Sequence, residues 1–174
     1  MSARVLVAGI GNVFLGDDGF GVEVAGKLAA RPLPDGVAVF DIGVRALHLA
    51  FELLDKPGLL LVVDAVDRGE PPGTVFLIEP RVDGDAAGAG LADAHGMNLE
   101  TVLGTLHNLG GEAPPLLLVG CQPAFVGEAI GLSPAVQEAV PRAVALVEET
   151  IARLMGEPVG RPPVHHAQQK ETAS

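Results

Sequence analysis

The chain has 174 residues, of which 48% are hydrophobic and none is Trp or Tyr. That length suffices for one domain whose sizeable core is mainly aliphatic. The formal net charge of −11 argues against a nucleic-acid partner, because such a partner requires clustered Lys and Arg side chains. One cysteine excludes an internal disulfide framework. The N-terminus lacks the basic region of a signal peptide, and no apolar run approaches the ~20 residues of a membrane span. We therefore expect a cytoplasmic monomer.

Five short apolar runs predict β-strands. Three of them are nearly unbroken, as is typical of strands buried on both faces of a parallel sheet. These three are "RVLVAG" (4–9), "LLLVVDA" (59–65) and "LLLVG" (116–120). Two weaker strands are predicted at "VAVFD" (37–41) and "TVFLIE" (74–79).

Between the strands, apolar residues recur at helical spacing. Ser133 followed by Pro134 predicts a further helix start, and Pro141 is expected to break that helix or to begin a second one. The predicted apolar stripes are Phe20, Val24 and Leu28; Leu47, Ala50, Phe51 and Leu54; and Leu99, Val102, Leu103 and Leu106.

The alternation of strands and helices predicts an α/β fold with three layers, in which a mostly parallel, twisted sheet of about five strands lies between helices. We expect this domain to occupy residues 1–156. The Gly- and Ala-rich segment 81–94 is predicted to be a long loop. Residues 157–174 are predicted to be a flexible tail, in which His165 and His166 are solvated.

The segment "GIGNVFLGDDGFG" (9–21) begins like a dinucleotide-binding loop. Gly9 and Gly11 match the first two glycines of the G-x-G-x-x-G pattern, but Phe14 occupies the third position. Asp17 and Asp18 would then repel a pyrophosphate at the helix N-terminus, where the helix dipole favours ionised carboxylates able to bind a metal. We expect the glycines to let this turn approach another chain or a metal closely. Asp17 could be a neighbour of a metal ligand, a helix cap or a solvated residue, and we expect the cap.

Acidic residues follow three of the predicted strands at their carboxyl ends, where ligands gather in open α/β sheets. They are Asp18, Asp41 and Asp64. Single acids at such positions are commonly helix caps or loop hydrogen-bonding groups. Together with His95, which follows the long loop, Asp18 and Asp64 supply the carboxylates and imidazole of a metal site. His95 alone could also be a capping or solvated residue.

Cys121, in "VGCQPA" at the end of the last predicted strand, has two interpretations. Paired with His95, it could be the nucleophile of a thiol hydrolase. Buried structural cysteines are more common, and we expect that role here.

These motifs together resemble the maturation endopeptidases of nickel–iron hydrogenases. The resemblance is carried by "VAGIGNVFLGDDGFGVEVAGKL", "DIGVRALHLAFELL", "VVDA" (62–65), "DAHG" (93–96) and "GCQPAFVGEAIGLSP", and it covers roughly residues 4–155. Two departures are that some relatives have Glu at the position of Asp18, and that Ile42 stands where many relatives have a glycine.

The resemblance implies a protease that removes a C-terminal peptide from the hydrogenase large-subunit precursor after nickel insertion. It implies metal ligation by Asp18, Asp64 and His95, with the nickel carried by the precursor, and it makes Asp41 a candidate for orienting substrate or water. The chain lacks the H-E-x-x-H motif of common metalloproteases, so a resident zinc is not expected. Two alternatives are a non-catalytic nickel-sensing or chaperone module and a dinucleotide-binding protein.

Overall fold

The three unbroken apolar runs form the centre of a five-stranded sheet in the computed structural model, which describes residues 5–43, 46–79 and 97–156. The strands follow the order β2-β1-β3-β5-β4 and are parallel, except that β4 is antiparallel to β5. The predicted α/β class and strand number are confirmed. The strands are β1 (Val5–Ile10), β2 (Val37–Gly43), β3 (Leu59–Ala65), β4 (Val75–Ile78) and β5 (Leu116–Cys121); the helices are α1 (Phe20–Ala29), α2 (Ala46–Leu53), α3 (Met97–Asn108) and α4 (Pro134–Leu154).

Helices cover both faces of the sheet. Helices α1 and α4 bury their apolar side chains on one face, and α2 and α3 bury theirs on the other. In β3, Leu61 and Val63 contribute to the first core, whereas Leu60 and Val62 contribute to the second. Because each central strand is buried on both sides, it is apolar at nearly every position rather than at alternate ones.

The order of the strands places a crevice beside β1. The chain passes from β1 to β2 on one side, and later returns to form β3 on the other side of β1. Connections that leave neighbouring parallel strands in opposite directions open a crevice at the carboxyl ends of those strands. The loop after β1 and the end of β3 therefore meet at this edge of the sheet.

Two glycines allow α1 to lie directly against the sheet. A Cβ atom at Gly21 would collide with the backbone carbonyls of Val63 and Ile10, and one at Gly9 would collide with the carbonyl of Gly21. The close approach predicted for this turn therefore exists, but it is made to the chain's own backbone. The glycines fix the position of the α1 N-terminus over the sheet.

Helix α2 presents a different face to the core from the predicted one. Leu49, Ala50 and Leu53 are buried, whereas Leu47 and Phe51 are exposed. The apolar residues of α2 encircle much of this short helix, so its periodicity could not select the buried side.

Helix α4 begins after Ser133 as predicted, but it continues without a break through Pro141. The prediction of a break there was wrong. Pro141 is solvent-exposed, while a row of residues from Val136 to Ile151 is buried along the helix. That packing offsets the ~3 kcal/mol that an interior proline costs a helix.

The predicted long loop 81–94, the tail 157–174 and His165 and His166 lie outside the described residues, so the predicted domain boundary at 156 stays a prediction. Among the helices that the structure describes, none combines the length and apolar character needed to cross a membrane.

Candidate active site

Asp18 lies between β1 and α1, in a single 3-10 turn formed by Asp17–Gly19. Its side chain is buried, and the Asn12 N–H donates a 2.8 Å hydrogen bond to its Oδ2 atom. Gly11 has a φ of 140°, and a Cβ atom there would collide with the Asp18 carbonyl. The loop thus folds back over the turn and holds the Asp18 carboxylate in a fixed orientation.

Asp64 lies near the carboxyl end of β3 and is also buried. Burial raises the pKa of Asp64 well above its ordinary value, and the nearby charge of Asp18 raises this pKa further. The Oδ1 atom of Asp64 accepts no hydrogen bond from the described residues. Two neighbouring buried carboxylates, one with an oxygen that lacks a donor, form a site at which a cation would be stabilised.

The structure brings Asp18 and Asp64 close to each other, whereas Asp41 belongs to a strand that does not pair with that of Asp64. Asp41 is exposed at the end of β2, in register with Gly9, and β1 separates its strand from that of Asp64. The register shifts between Gly9 and Ile10, so that Ile10 pairs with Gly43 and Ile42 forms a bulge beside Asp41. Ile42, the departure from the glycine of many relatives, is buried in the core.

His95 lies outside the described residues, so the structure does not test its place in the predicted metal site. Among residues 5–43, 46–79 and 97–156, no three His, Cys, Asp or Glu side chains are grouped closely enough to hold a metal ion. Asp18 and Asp64 are the two predicted ligands that the structure describes.

Asp17 has a role that the sequence did not indicate. Its carboxylate makes no cap to α1; instead it accepts hydrogen bonds from the N–H groups of Ala124 (2.8 Å), Phe125 (3.0 Å) and Ser133 (2.7 Å), and from the Ser133 hydroxyl (2.9 Å). Burial alone would raise the pKa of Asp17, but these hydrogen bonds outweigh it and lower that pKa. Asp17 therefore joins the first loop to the segment after β5.

Gln122, which directly follows β5, likewise connects to the segment after β3 through hydrogen bonds. Its Oε1 atom accepts hydrogen bonds from the N–H groups of Arg68 (2.7 Å) and Glu70 (3.2 Å), while its Nε2 donates to Asp67 (3.0 Å). Neither the periodicity nor the spacing of residues in the sequence indicates these roles of Asp17 and Gln122. Their partners lie more than 50 residues away, so only the folded chain reveals these networks.

Cys121 is fully buried, and its thiol contacts the carbonyl of Gln122. Burial and the charge of Asp17 raise the pKa of Cys121 to about 11. At neutral pH the side chain is therefore a protonated thiol, whereas a nucleophile requires the thiolate. The structure favours the packing role over the thiol-hydrolase interpretation.

Replacement of Cys121 by Ser is consequently expected to leave the rate of substrate cleavage close to that of wild type. The expected result follows because Ser retains the size of the buried side chain and no thiolate takes part. Mass spectrometry of the cleaved substrate measures the rate, and circular dichroism controls for folding. A folded Cys121→Ser variant without activity would restore the thiol-hydrolase interpretation.

Comparison with known proteins identifies the family of the chain and agrees with the observed fold. The profile of the family described as "Hydrogenase maturation protease" matches residues 22–150. The chain belongs to this family.

Individual members of the hydrogenase maturation protease family resemble the chain over most of its length. The hydrogenase expression/formation protein HupD of Rhodobacter capsulatus is 38% identical over 146 residues, covering 82% of this chain and 68% of HupD. The hydrogenase maturating endopeptidase HybD from E. coli is 30% identical, with a TM-score of 0.73 and coverage of 88% of this chain and 94% of that one. The hydrogenase 2 maturation peptidase from a Thaumarchaeota archaeon is 35% identical, with a TM-score of 0.64 and coverage of 86% and 98%.

Membership of the hydrogenase maturation protease family makes the chain a hydrolase and disfavours the dinucleotide-binding alternative. The geometry agrees with that conclusion. The position at which a pyrophosphate would bind, at the start of α1, is occupied by the two buried carboxylates of Asp17 and Asp18.

Proposed function

We propose that the protein is the endopeptidase that removes the C-terminal extension of a nickel–iron hydrogenase large-subunit precursor after nickel has been inserted. The observation that carries this proposal is the buried pair Asp18 and Asp64, located at the crevice beside β1 in a chain of the hydrogenase maturation protease family. The reducing cytoplasm is the proposed compartment, consistent with a single cysteine that is buried and unpaired.

The nickel ion belongs to the substrate in this proposal. The precursor would present it, and Asp18, Asp64 and His95 would complete its coordination. The described part of the site fits a cation, because the Asp64 Oδ1 atom is buried without a hydrogen-bond donor and lies near the charge of Asp18. Imidazole and carboxylate ligands both suit nickel, and three protein ligands leave positions open for groups of the precursor.

Coordination of the precursor's metal would place the scissile peptide in the crevice. A nickel ion bound there supplies Lewis acidity, which could polarise the scissile carbonyl or activate a water. Asp41 is exposed at the same edge of the sheet, and we propose that it orients the substrate or the attacking water. Asp18 is already oriented by the Asn12 N–H before any substrate binds, so little reorganisation of that carboxylate is needed.

The test uses protease that has been treated with EDTA and then freed of the chelator. It is mixed with precursor that contains nickel or lacks it, and the mass of the large subunit is followed. We expect trimming of the nickel-loaded precursor alone, because the empty precursor lacks the metal that positions its peptide bond. His95→Ala is expected to abolish trimming, and His107→Ala, which changes an exposed histidine at the end of α3, serves as its control.

Each outcome distinguishes one interpretation. Equal trimming of both precursors would contradict the role of substrate nickel while leaving the protease function intact. Binding of the nickel-loaded precursor without any change in its mass would instead indicate the nickel-sensing or chaperone alternative. Wild-type trimming by a folded His95→Ala variant would remove the imidazole from the site.

A further inference from the structure

Five large apolar side chains are exposed on the two loops that border the carboxylate pair. Three of them are extensively exposed: Ile130 by 85%, Phe14 by 65% and Phe125 by 56%. Single exposed apolar residues are common on protein surfaces, but a concentration of them marks an interaction site. We call this set the apolar platform; it consists of Val13, Phe14, Phe125, Val126 and Ile130.

Backbone hydrogen bonds join the two loops that carry the apolar platform. The Gly16 N–H donates to the Ala129 carbonyl (2.8 Å), and the Ala129 N–H donates to the Phe14 carbonyl (3.1 Å). The Asp17 N–H donates to the Phe125 carbonyl (3.0 Å), while the Asp17 carboxylate accepts from the Phe125 N–H (3.0 Å). The two loops therefore form one unit, and the exposed side chains are attached to a fixed backbone.

The ring of Phe125 is seated on both loops. A Cβ atom at Gly16 would lie 3.2 Å from its Cδ1 atom, and one at Gly127 would lie 2.7 Å from its Cζ atom. The two glycines thus leave the space that the ring occupies, although more than half of the residue remains exposed. An aromatic side chain held in place before binding loses little conformational entropy when a partner covers it, as is usual for the residues that dominate interfaces.

The charges around the apolar platform restrict the partner. Residues 11–19 and 122–133 contain no Lys or Arg, whereas they contain Asp17, Asp18 and Glu128. The whole chain has a net charge of −11. An acidic partner segment would be repelled here, and a neutral or basic one would not.

We propose that the apolar platform is the docking surface for an apolar segment of the precursor that carries no acidic residues. This inference rests on the proposed function, since it assigns a second contact to the same substrate. The platform is continuous with the site: Phe14 and Asp18 belong to one loop, and Asp17 ties Phe125 to the residue beside Asp18. Docking there holds the precursor against the crevice and determines which precursor is accepted.

The experiment compares Phe125→Ser and Phe14→Ser with the matched control Phe51→Ser. Phe51 is an exposed phenylalanine too, at 52%, but it belongs to α2. The KM and kcat for cleavage of nickel-loaded precursor are measured, together with the Kd of the same precursor by isothermal titration calorimetry. We expect the platform variants to raise KM and Kd by about tenfold or more, with little change in kcat, and the control to change neither.

A second comparison tests the charge of the partner segment. Ile130→Glu and Ile130→Lys remove the same apolar side chain and differ in the charge that replaces it. For a segment without acidic residues, the lysine variant binds no more tightly than the glutamate variant. Tighter binding by Ile130→Lys would overturn the assigned chemistry of the segment.

The remaining outcomes separate this inference from the proposed function. Unchanged KM and Kd in folded Phe14→Ser and Phe125→Ser variants would overturn the docking surface while leaving the endopeptidase in place. If wild type leaves the precursor length unchanged, the proposed function is wrong. In that case the Kd values of the variants alone test whether the apolar platform binds the precursor. Sedimentation velocity is expected to show a monomer, and a wild-type dimer that Phe125→Ser dissociates would assign the surface to self-association instead.

Discussion

Replacement of Asp64 by Asn is expected to abolish precursor cleavage and, at the same time, to stabilise the protein at neutral pH. Asn keeps the shape of the side chain but removes the negative charge that the proposed nickel site requires. We expect the cleavage rate to fall on the order of 100-fold or more, as for the loss of a metal-coordinating group. The mass of the precursor, followed over time, measures this loss.

The gain in stability follows from the raised pKa of Asp64. Burial and the charge of Asp18 favour the protonated carboxyl in the folded protein, whereas the unfolded chain releases this proton near the ordinary pKa of 3.8. Above that pH the unfolded state binds fewer protons than the folded state, so the free energy of unfolding decreases as the pH rises towards the folded-state pKa. Asn does not titrate, so the variant carries no such penalty at neutral pH.

Urea denaturation of EDTA-treated wild type and Asp64→Asn, at pH values from 4.5 to 8, tests this difference. The variant is expected to be the more stable protein at pH 8, and the advantage should shrink as the pH falls. Asp55→Asn is the matched control, because Asp55 is exposed and precedes the start of β3, whereas Asp64 lies near the carboxyl end of that strand. If the variant is no more stable than wild type at pH 8, the conclusion that the ionised Asp64 carboxylate destabilises the folded protein is wrong.

Replacement of Asp17 by Ala is expected to have the largest effect on stability. The change removes the acceptor of four hydrogen bonds and leaves the N–H groups of Ala124, Phe125 and Ser133 without their partner. Because four partly buried hydrogen bonds to one carboxylate are lost together, we expect a loss on the order of 3–5 kcal/mol in the free energy of unfolding. The lost hydrogen bonds connect the two loops that carry the apolar platform, so binding of the precursor should weaken as well.

The pH dependence of the Asp17 variant has the opposite sign to that of the Asp64 variant. Hydrogen bonds lower the pKa of Asp17 in the folded state despite its burial, so its contribution to stability is present above pH 3.8 and is lost as the pH falls through the lowered value. Wild type should therefore lose more stability on acidification than Asp17→Ala does. Asp35→Ala, which changes an exposed acid, is the control. A stability loss in Asp17→Ala no larger than in this control would contradict the stabilising role of the Asp17 hydrogen bonds.

The sequence predicted the parts of the fold that depend on local patterns. Three nearly unbroken apolar runs and two weaker ones located all five strands, and β3 was predicted with the bounds that the structure shows. The sequence also placed Asp18 and Asp64 at one edge of the sheet, since parallel strands align their carboxyl ends. It failed where long-range packing overrides a local preference, as in the continuation of α4 through Pro141.

The interactions of Asp17 could not be predicted for a related reason. A carboxylate at the start of a helix favours a local cap, and nothing in the nearby sequence indicates that donors from Ala124 to Ser133 will reach it first. The buried face of α2 was missed because its apolar residues outnumber those that the core can cover. The predicted roles of Asp41 and His95 remain hypotheses, which mutation of each residue can test.

The hydrogen bonds of Asp17 affect the stage of synthesis at which the site can form. Its hydrogen bonds join positions that are 107 to 116 residues apart in the chain, and the central pairing of β1, β3 and β5 likewise joins segments distant in sequence. Contacts of such wide separation form slowly, and during synthesis they must wait until the later segment has left the ribosome. A nascent chain that ends before Ala124 already contains Asp18 and Asp64, but it lacks every donor that binds the Asp17 carboxylate beside Asp18. We therefore expect the loop that carries Asp18 to reach its final position only after the chain has been synthesised through Ser133.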